Sequence, residues 1–98
     1  MRRDEVLAKL RAHEVELRAS GAEALYLFGS VARDEAREDS DVDLLFDRPT
    51  ARPFTLFDLI GLEERISEIM GCPVDLGTRA GLKTRVRERV EHDVIRIF

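Results

Sequence analysis

The residues best equipped for chemistry are Gly29-Ser30, the pair Asp41 and Asp43, and Asp75. Gly29-Ser30 closes the apolar run Leu25-Tyr26-Leu27-Phe28. A short apolar run stopped by glycine reads as a buried strand feeding a tight turn. Glycine tolerates positive φ and lets the backbone come close to a ligand. Ser30 then falls at a helix start, where free N–H groups attract anions such as phosphate. Asp41 and Asp43 head a second apolar run, Leu44-Leu45-Phe46. On a strand, a spacing of two puts both carboxylates on one face. Paired carboxylates repel unless a cation lies between them. Hard oxygen ligands of this kind suit Mg²⁺, which binds through one or two carboxylates plus substrate phosphates. Asp75 lies inside a short apolar segment, Val74-Asp75-Leu76, where an acid needs a partner or exposure.

Each of these residues also has an ordinary structural explanation. Gly29-Ser30 fits a strand-to-helix turn with serine as a cap. Asp41 fits a turn residue after Ser40, and Asp43 an exposed strand position. Arg33 fits a phosphate contact and a surface salt bridge equally well, and Arg79 fits a solvated loop. His13 has no second ligand-type residue at metal spacing and reads as a partly exposed surface histidine.

The combination goes further than its parts. Gly29-Ser30-x-Ala32-Arg33, then Ala36, then Ser40-Asp41-x-Asp43-Leu44-Leu45, resembles the minimal nucleotidyltransferases of prokaryotes. These MntA-like proteins belong to the DNA polymerase beta-type nucleotidyltransferase superfamily, and many are antitoxins paired with a HEPN-domain ribonuclease. The resemblance extends through Val74-Asp75-Leu76, where the family carries its third metal-site carboxylate. One departure is Asp34, which stands where the family usually has glycine after the arginine.

The resemblance implies an α/β chain with the polymerase beta-like nucleotidyltransferase fold, a small mixed β-sheet with helices packed against it. It implies one domain over residues 1–98, with Asp41, Asp43 and Asp75 as catalytic residues holding one or two Mg²⁺ ions. Gly29, Ser30 and Arg33 would bind the nucleotide, with ATP as donor. The expected activity is transfer of AMP to a tyrosine hydroxyl of a HEPN ribonuclease toxin, silencing it within a hetero-oligomer. Two other functions stay open: a non-catalytic antitoxin that masks its partner by binding, and a homodimeric small-molecule nucleotidyltransferase.

Composition sets the outer limits. With 98 residues, 44% of them hydrophobic and 37% charged, the chain reads as one small soluble domain with a modest core. The net charge of −4, with acids and bases interspersed, argues against direct nucleic-acid binding. The single cysteine, Cys72, permits no intrachain disulfide. No apolar run is long enough to span a membrane, and Met1-Arg2-Arg3-Asp4 lacks a signal-peptide core, so the expected location is cytoplasmic.

The elements that must position the candidate residues follow from periodicity. A helix is expected from about Asp4, as cap, to Ser20, with Val6, Leu7, Leu10, Val15 and Leu17 as its apolar stripe and Gly21 as its stop. Strands are expected at Ala24 to Phe28, Asp41 to Phe46 and Pro73 to Leu76. A short helix from Ser30 to Arg37 would separate the first two. Pro49 and Pro53 mark a loop. Phe54 to Met70 is the clearest helix, stopped by Gly71, and its stripe including Leu56, Leu59 and Ile60 reads as core. Gly61 within it suggests close packing on the sheet. A charged helix from Leu82 to about Asp93 and a final strand or apolar tail, Val94 to Phe98, complete the chain. Element order alone suggests helices against a sheet; the mixed sheet comes from the resemblance.

Overall fold

Alternation in three apolar runs builds the centre of the fold. The computed structural model describes residues 2–33, 42–78 and 94–98, with Ser30 described through its backbone only. In β1 (Ala24–Phe28), Leu25 and Leu27 point to one side and Ala24, Tyr26 and Phe28 to the other. In β2 (Val42–Asp47), Val42, Leu44 and Phe46 share the side of Leu25 and Leu27, leaving Asp43, Leu45 and Asp47 on the reverse. In β3 (Val74–Thr78), Val74 and Leu76 face the same core, so Asp75 faces the reverse. A short β4 (Ile95–Arg96) completes a sheet of order β3-β2-β1-β4.

The sheet is mixed. β1 pairs antiparallel with β2 and with β4, whereas β2 and β3 are parallel. The link from β1 to β2 therefore needs no crossover, as suits a connection of only about a dozen residues. The parallel pair is joined across α4 (Leu56–Met70), the long connection that a parallel step requires. The C-terminal segment belongs to the sheet. Ile97 N–H donates to Leu25 O at 2.8 Å, Leu25 N–H donates to Phe98 O at 3.2 Å, and Ile97 and Phe98 are buried.

Helices cover one face. Val6 and Leu10 of α1 (Arg3–Arg11), Leu17 of α2 (Glu14–Ala19), Val31 and Ala32 of α3 (Gly29–Ala32), and Leu62, Ile66 and Met70 of α4 pack on the core side of the strands. The reverse face carries a smaller cluster of Ala24, Tyr26 and Leu45, with Phe28 and Val94 against it.

Several expectations are corrected. The first helix is two, broken at Ala12-His13, and Arg2 rather than Asp4 occupies its N-cap, with no side-chain cap bond. Val15 is 85% exposed rather than core. The break leaves Glu16 on α2 bonded to Arg65 on α4: Arg65 Nε donates to Oε1, and Nη2 to Oε2 at 3.2 Å. The long helix begins at Leu56, because Thr55 and Asp58 form a capping box. Asp58 N–H donates to Thr55 Oγ1, while Thr55 N–H donates to Asp58 Oδ2 at 2.8 Å. Gly71 ends α4 as expected, in the left-handed region at φ 72°. Leu56, Phe57 and Ile60 are exposed, and a Cβ on Gly61 would meet nothing within 4 Å, so Gly61 does not mark sheet packing. β2 and β3 run to Asp47 and Thr78. The charged helix expected from Leu82, and Arg79, lie outside the described residues.

Candidate functional site

The end of β1 determines what can sit beside it. Phe28 pairs in register with Asp43, and the chain then turns at Gly29 with φ 78°. A β-carbon on Gly29 would lie 2.5 Å from Asp43 Oδ2 and 3.3 Å from its Cβ and Cγ. Two independent constraints thus require glycine: the left-handed backbone and the carboxylate packed against it. The sequence signal was the glycine; the side chain that demands it comes from the next strand.

Asp43 is half-buried on the reverse face, and its in-register neighbour on the parallel strand is Asp75, which is exposed. Parallel partners in register point to the same side. Gly29, Asp43 and Asp75 therefore come together at one end of the sheet. Among the described residues no group of three or more histidine, cysteine, aspartate or glutamate side chains is placed to hold a metal ion. Asp41 lies outside the described residues, as does Asp34. The donors that are described, two carboxylates beside a backbone cradle without a β-carbon, match the oxygen-only preference of Mg²⁺.

The turn leads directly into α3. Arg33 N–H donates to Gly29 O at 3.2 Å and closes its single turn, while Val31 and Ala32 anchor it in the core. Ser30 is the second residue of this turn, and Arg33 follows it with an exposed side chain. From α1, Arg3 Nη1 donates to Ala32 O at 3.4 Å.

The opposite end of the same face was not singled out in the sequence. There the Tyr26 hydroxyl donates to Asp47 Oδ2 at 3.0 Å. Asp47 also lines a depression of about 420 Å³ with Arg48, Pro49, Thr50, Phe46 and Thr78, beyond the carboxyl ends of β2 and β3. The acidic pair lies at the amino ends of these strands, away from that hollow. Period 2 from Asp43 through Leu45 to Asp47 was the available signal.

Away from both ends, the Arg65 guanidinium and then His13 hold the Glu16 carboxyl at about 2, against an ordinary value of 4.5. The Thr55 backbone N–H likewise lowers Asp58. His13, half-exposed as expected, contacts Glu16 at 3.3 Å. Among the described residues no helix is long and apolar enough to cross a membrane.

The glycine turn against Asp43 and the in-register Asp75 thus gather the described candidate residues at one end of a mixed sheet. The chain belongs to the nucleotidyltransferase domain family, whose model matches residues 7–97, and it is a nucleotidyltransferase. It is similar to the protein adenylyltransferase MntA of Thermococcus cleftensis, at 38% identity over 93 residues covering 94% of this chain and 92% of that one. The solved structure of a minimal nucleotidyltransferase shares 38% identity over 97% of this chain and 95% of that one, with a TM-score of 0.81. The fold also recurs, at 18% identity and a TM-score of 0.63, over 90% of this chain and 68% of a chain in a Shewanella oneidensis complex. That complex holds a tri-AMPylated HEPN toxin and its MNT antitoxin.

Proposed function

We propose that this chain is a protein adenylyltransferase, acting as one minimal domain over residues 1–98, that moves AMP from ATP to a tyrosine hydroxyl of a HEPN ribonuclease toxin. The observation that carries the reading is the in-register pair Asp43–Asp75 beside Gly29. The similarity to the Thermococcus protein adenylyltransferase supports the substrate class, and the fold shared with the Shewanella antitoxin supports the partner.

In the proposed reaction the acceptor oxygen attacks the α-phosphorus of ATP. A new P–O bond forms, the bond to the β-phosphate oxygen breaks, and pyrophosphate leaves with the electron pair. Asp41, Asp43 and Asp75 would hold Mg²⁺, which when bound neutralises charge on the phosphates. Asp75, the more exposed of the two described acids, would take the acceptor's proton. Gly29 lets the triphosphate approach the backbone, and the N–H groups of Ser30 and its neighbours, with Arg33, bind its terminal oxygens. The added phosphodiester brings negative charge and bulk to the toxin, enough to oppose RNA binding.

The test is the intact mass of a candidate HEPN partner after incubation with this protein, Mg²⁺ and ATP, beside a D41N/D43N control. One or more added AMP units, absent in the control, is the expected result. A partner that is bound and silenced without a mass gain overturns the reading in favour of masking. A stable self-dimer without a protein partner favours the small-molecule enzyme.

A further inference from the structure

The outer face of α4 departs three times from what an isolated helix would choose. Its core side is filled by Leu62, Ile66 and Met70. On the other side, Leu56, Phe57 and Ile60 are 68%, 84% and 46% exposed within two helical turns. Single exposed apolar residues are ordinary, but a contiguous group on one face marks a contact surface. Next comes Gly61, which no packing among the described residues requires: its φ is not in the left-handed region and the space above it is open. Glycine in an exposed helix interior weakens the helix relative to alanine. Third, Glu63, Glu64 and Glu68 follow, Glu68 in the last turn, where the helix dipole disfavours anions and no basic residue stands. Glu68 is bonded to Arg65, whereas Glu63 and Glu64 have no ion pair among the described residues. A shallow groove of about 500 Å³ runs between Ile60 and this acidic half.

We infer that this face docks a basic amphipathic helix of the partner protein. Apolar side chains of that helix would cover Leu56, Phe57 and Ile60, its backbone would approach most closely over Gly61, and its Lys or Arg side chains would meet Glu63 and Glu64. Each unfavourable choice in the free chain becomes favourable in the complex. The charge pattern selects this occupant over a second copy. The α4 of a second copy brings only one basic residue, Arg65, already bonded to Glu16 and Glu68, so it supplies no cation for Glu63 and Glu64. The inference rests on the proposed toxin partner, which as an RNA-cleaving protein needs a basic surface of its own.

The test measures binding without ATP, so that it is independent of transfer. Titration calorimetry of the HEPN partner is run with the wild type, Phe57→Asp, Gly61→Leu and Glu63→Lys/Glu64→Lys. Each variant is expected to weaken binding at least about tenfold, while Gly61→Ala raises the melting temperature of the free chain. Affinities within about twofold of wild type overturn the inference. A second probe is a synthetic leucine- and lysine-bearing amphipathic helix, followed through the amide resonances of residues 56–64, beside a peptide with glutamate for lysine. Shifts with the first peptide only are expected; equal response, or shifts confined elsewhere, overturn the docking face. AMP transfer with undiminished binding by all variants refutes the face and leaves the transferase standing. Binding lost in the variants without any AMP transfer by the wild type does the reverse. Self-association of the free chain that Phe57→Asp abolishes also overturns it, in favour of a second copy.

Discussion

The two ends of β2 carry the same side chain to different effect. At one end Asp47 receives a hydrogen bond from Tyr26 across the antiparallel pair, next to a buried cluster of Ala24, Tyr26 and Leu45. At the other end Asp43 has a second carboxylate, Asp75, as its in-register neighbour, and a backbone turn stripped of its β-carbon pressed against it. The first environment is what a stable sheet does with an acid: it supplies a donor. The second sets like charges side by side, which opposes strand pairing. The difference separates an acid tied to a tyrosine across the sheet from one set beside a second acid and a glycine turn.

The strongest way to break this contrast is Asp43→Asn. Transfer of AMP should fall at least about 100-fold, the scale expected when several kcal/mol of charge stabilisation are removed. A marked loss of stability with activity intact would make Asp43 a structural residue like Asp47. Next in size is Gly29→Ala. It places a β-carbon 2.5 Å from Asp43 Oδ2 in a left-handed backbone, so it should cost more than about 1 kcal/mol in denaturant unfolding and also abolish transfer. Tyr26→Phe tests the other end. Losing the bond to Asp47 should cost about 1 kcal/mol with kcat unchanged, and a large fall in kcat would extend the functional site along the whole face.

How much of this was legible beforehand depended on how local each cause is. β1 was readable to the residue because an unbroken apolar run and the glycine that stops it are written into consecutive positions, Ala24 to Gly29. The break at Ala12-His13 was not, since neither glycine nor proline marks it. The start of α4 was misplaced although Thr55-x-x-Asp58 carries the capping-box spacing, with aspartate in place of the usual glutamate. Periodicity showed that α4 is amphipathic, but not that Leu56, Phe57 and Ile60 lie beyond the stripe the sheet can cover. The proximity of Asp43 to Asp75 is a matter of register between strands joined through a whole helix. No spacing rule yields it, and the resemblance to a known family supplied the expectation instead.

The smallest effect is a control far from either end. Glu16 is held at about 2 in the folded chain, against 4.5 ordinarily. A lowered carboxyl contributes stability that is complete above its unfolded value and disappears as pH falls through its folded one. Acid unfolding between about pH 4.5 and 2 should therefore be less steep in Glu16→Gln than in the wild type, with transfer at neutral pH unaffected. Altered transfer would mean that the α2–α4 contact reaches the acidic pair.

The placement of β3 has a kinetic corollary. As an outer strand of the four, it pairs among the described residues with β2 alone and joins it only after α4 has crossed. Such long-range pairing forms slowly, and outer strands open more readily than the centre. Asp75 leaves whenever β3 frays, with β1, β2 and β4 still paired. With Asp75 in its proposed role, competence to transfer would then be set by the local opening of one strand rather than by global unfolding. Amide exchange in Val74–Thr78 should track the loss of activity on warming, well ahead of exchange in Ala24–Phe28.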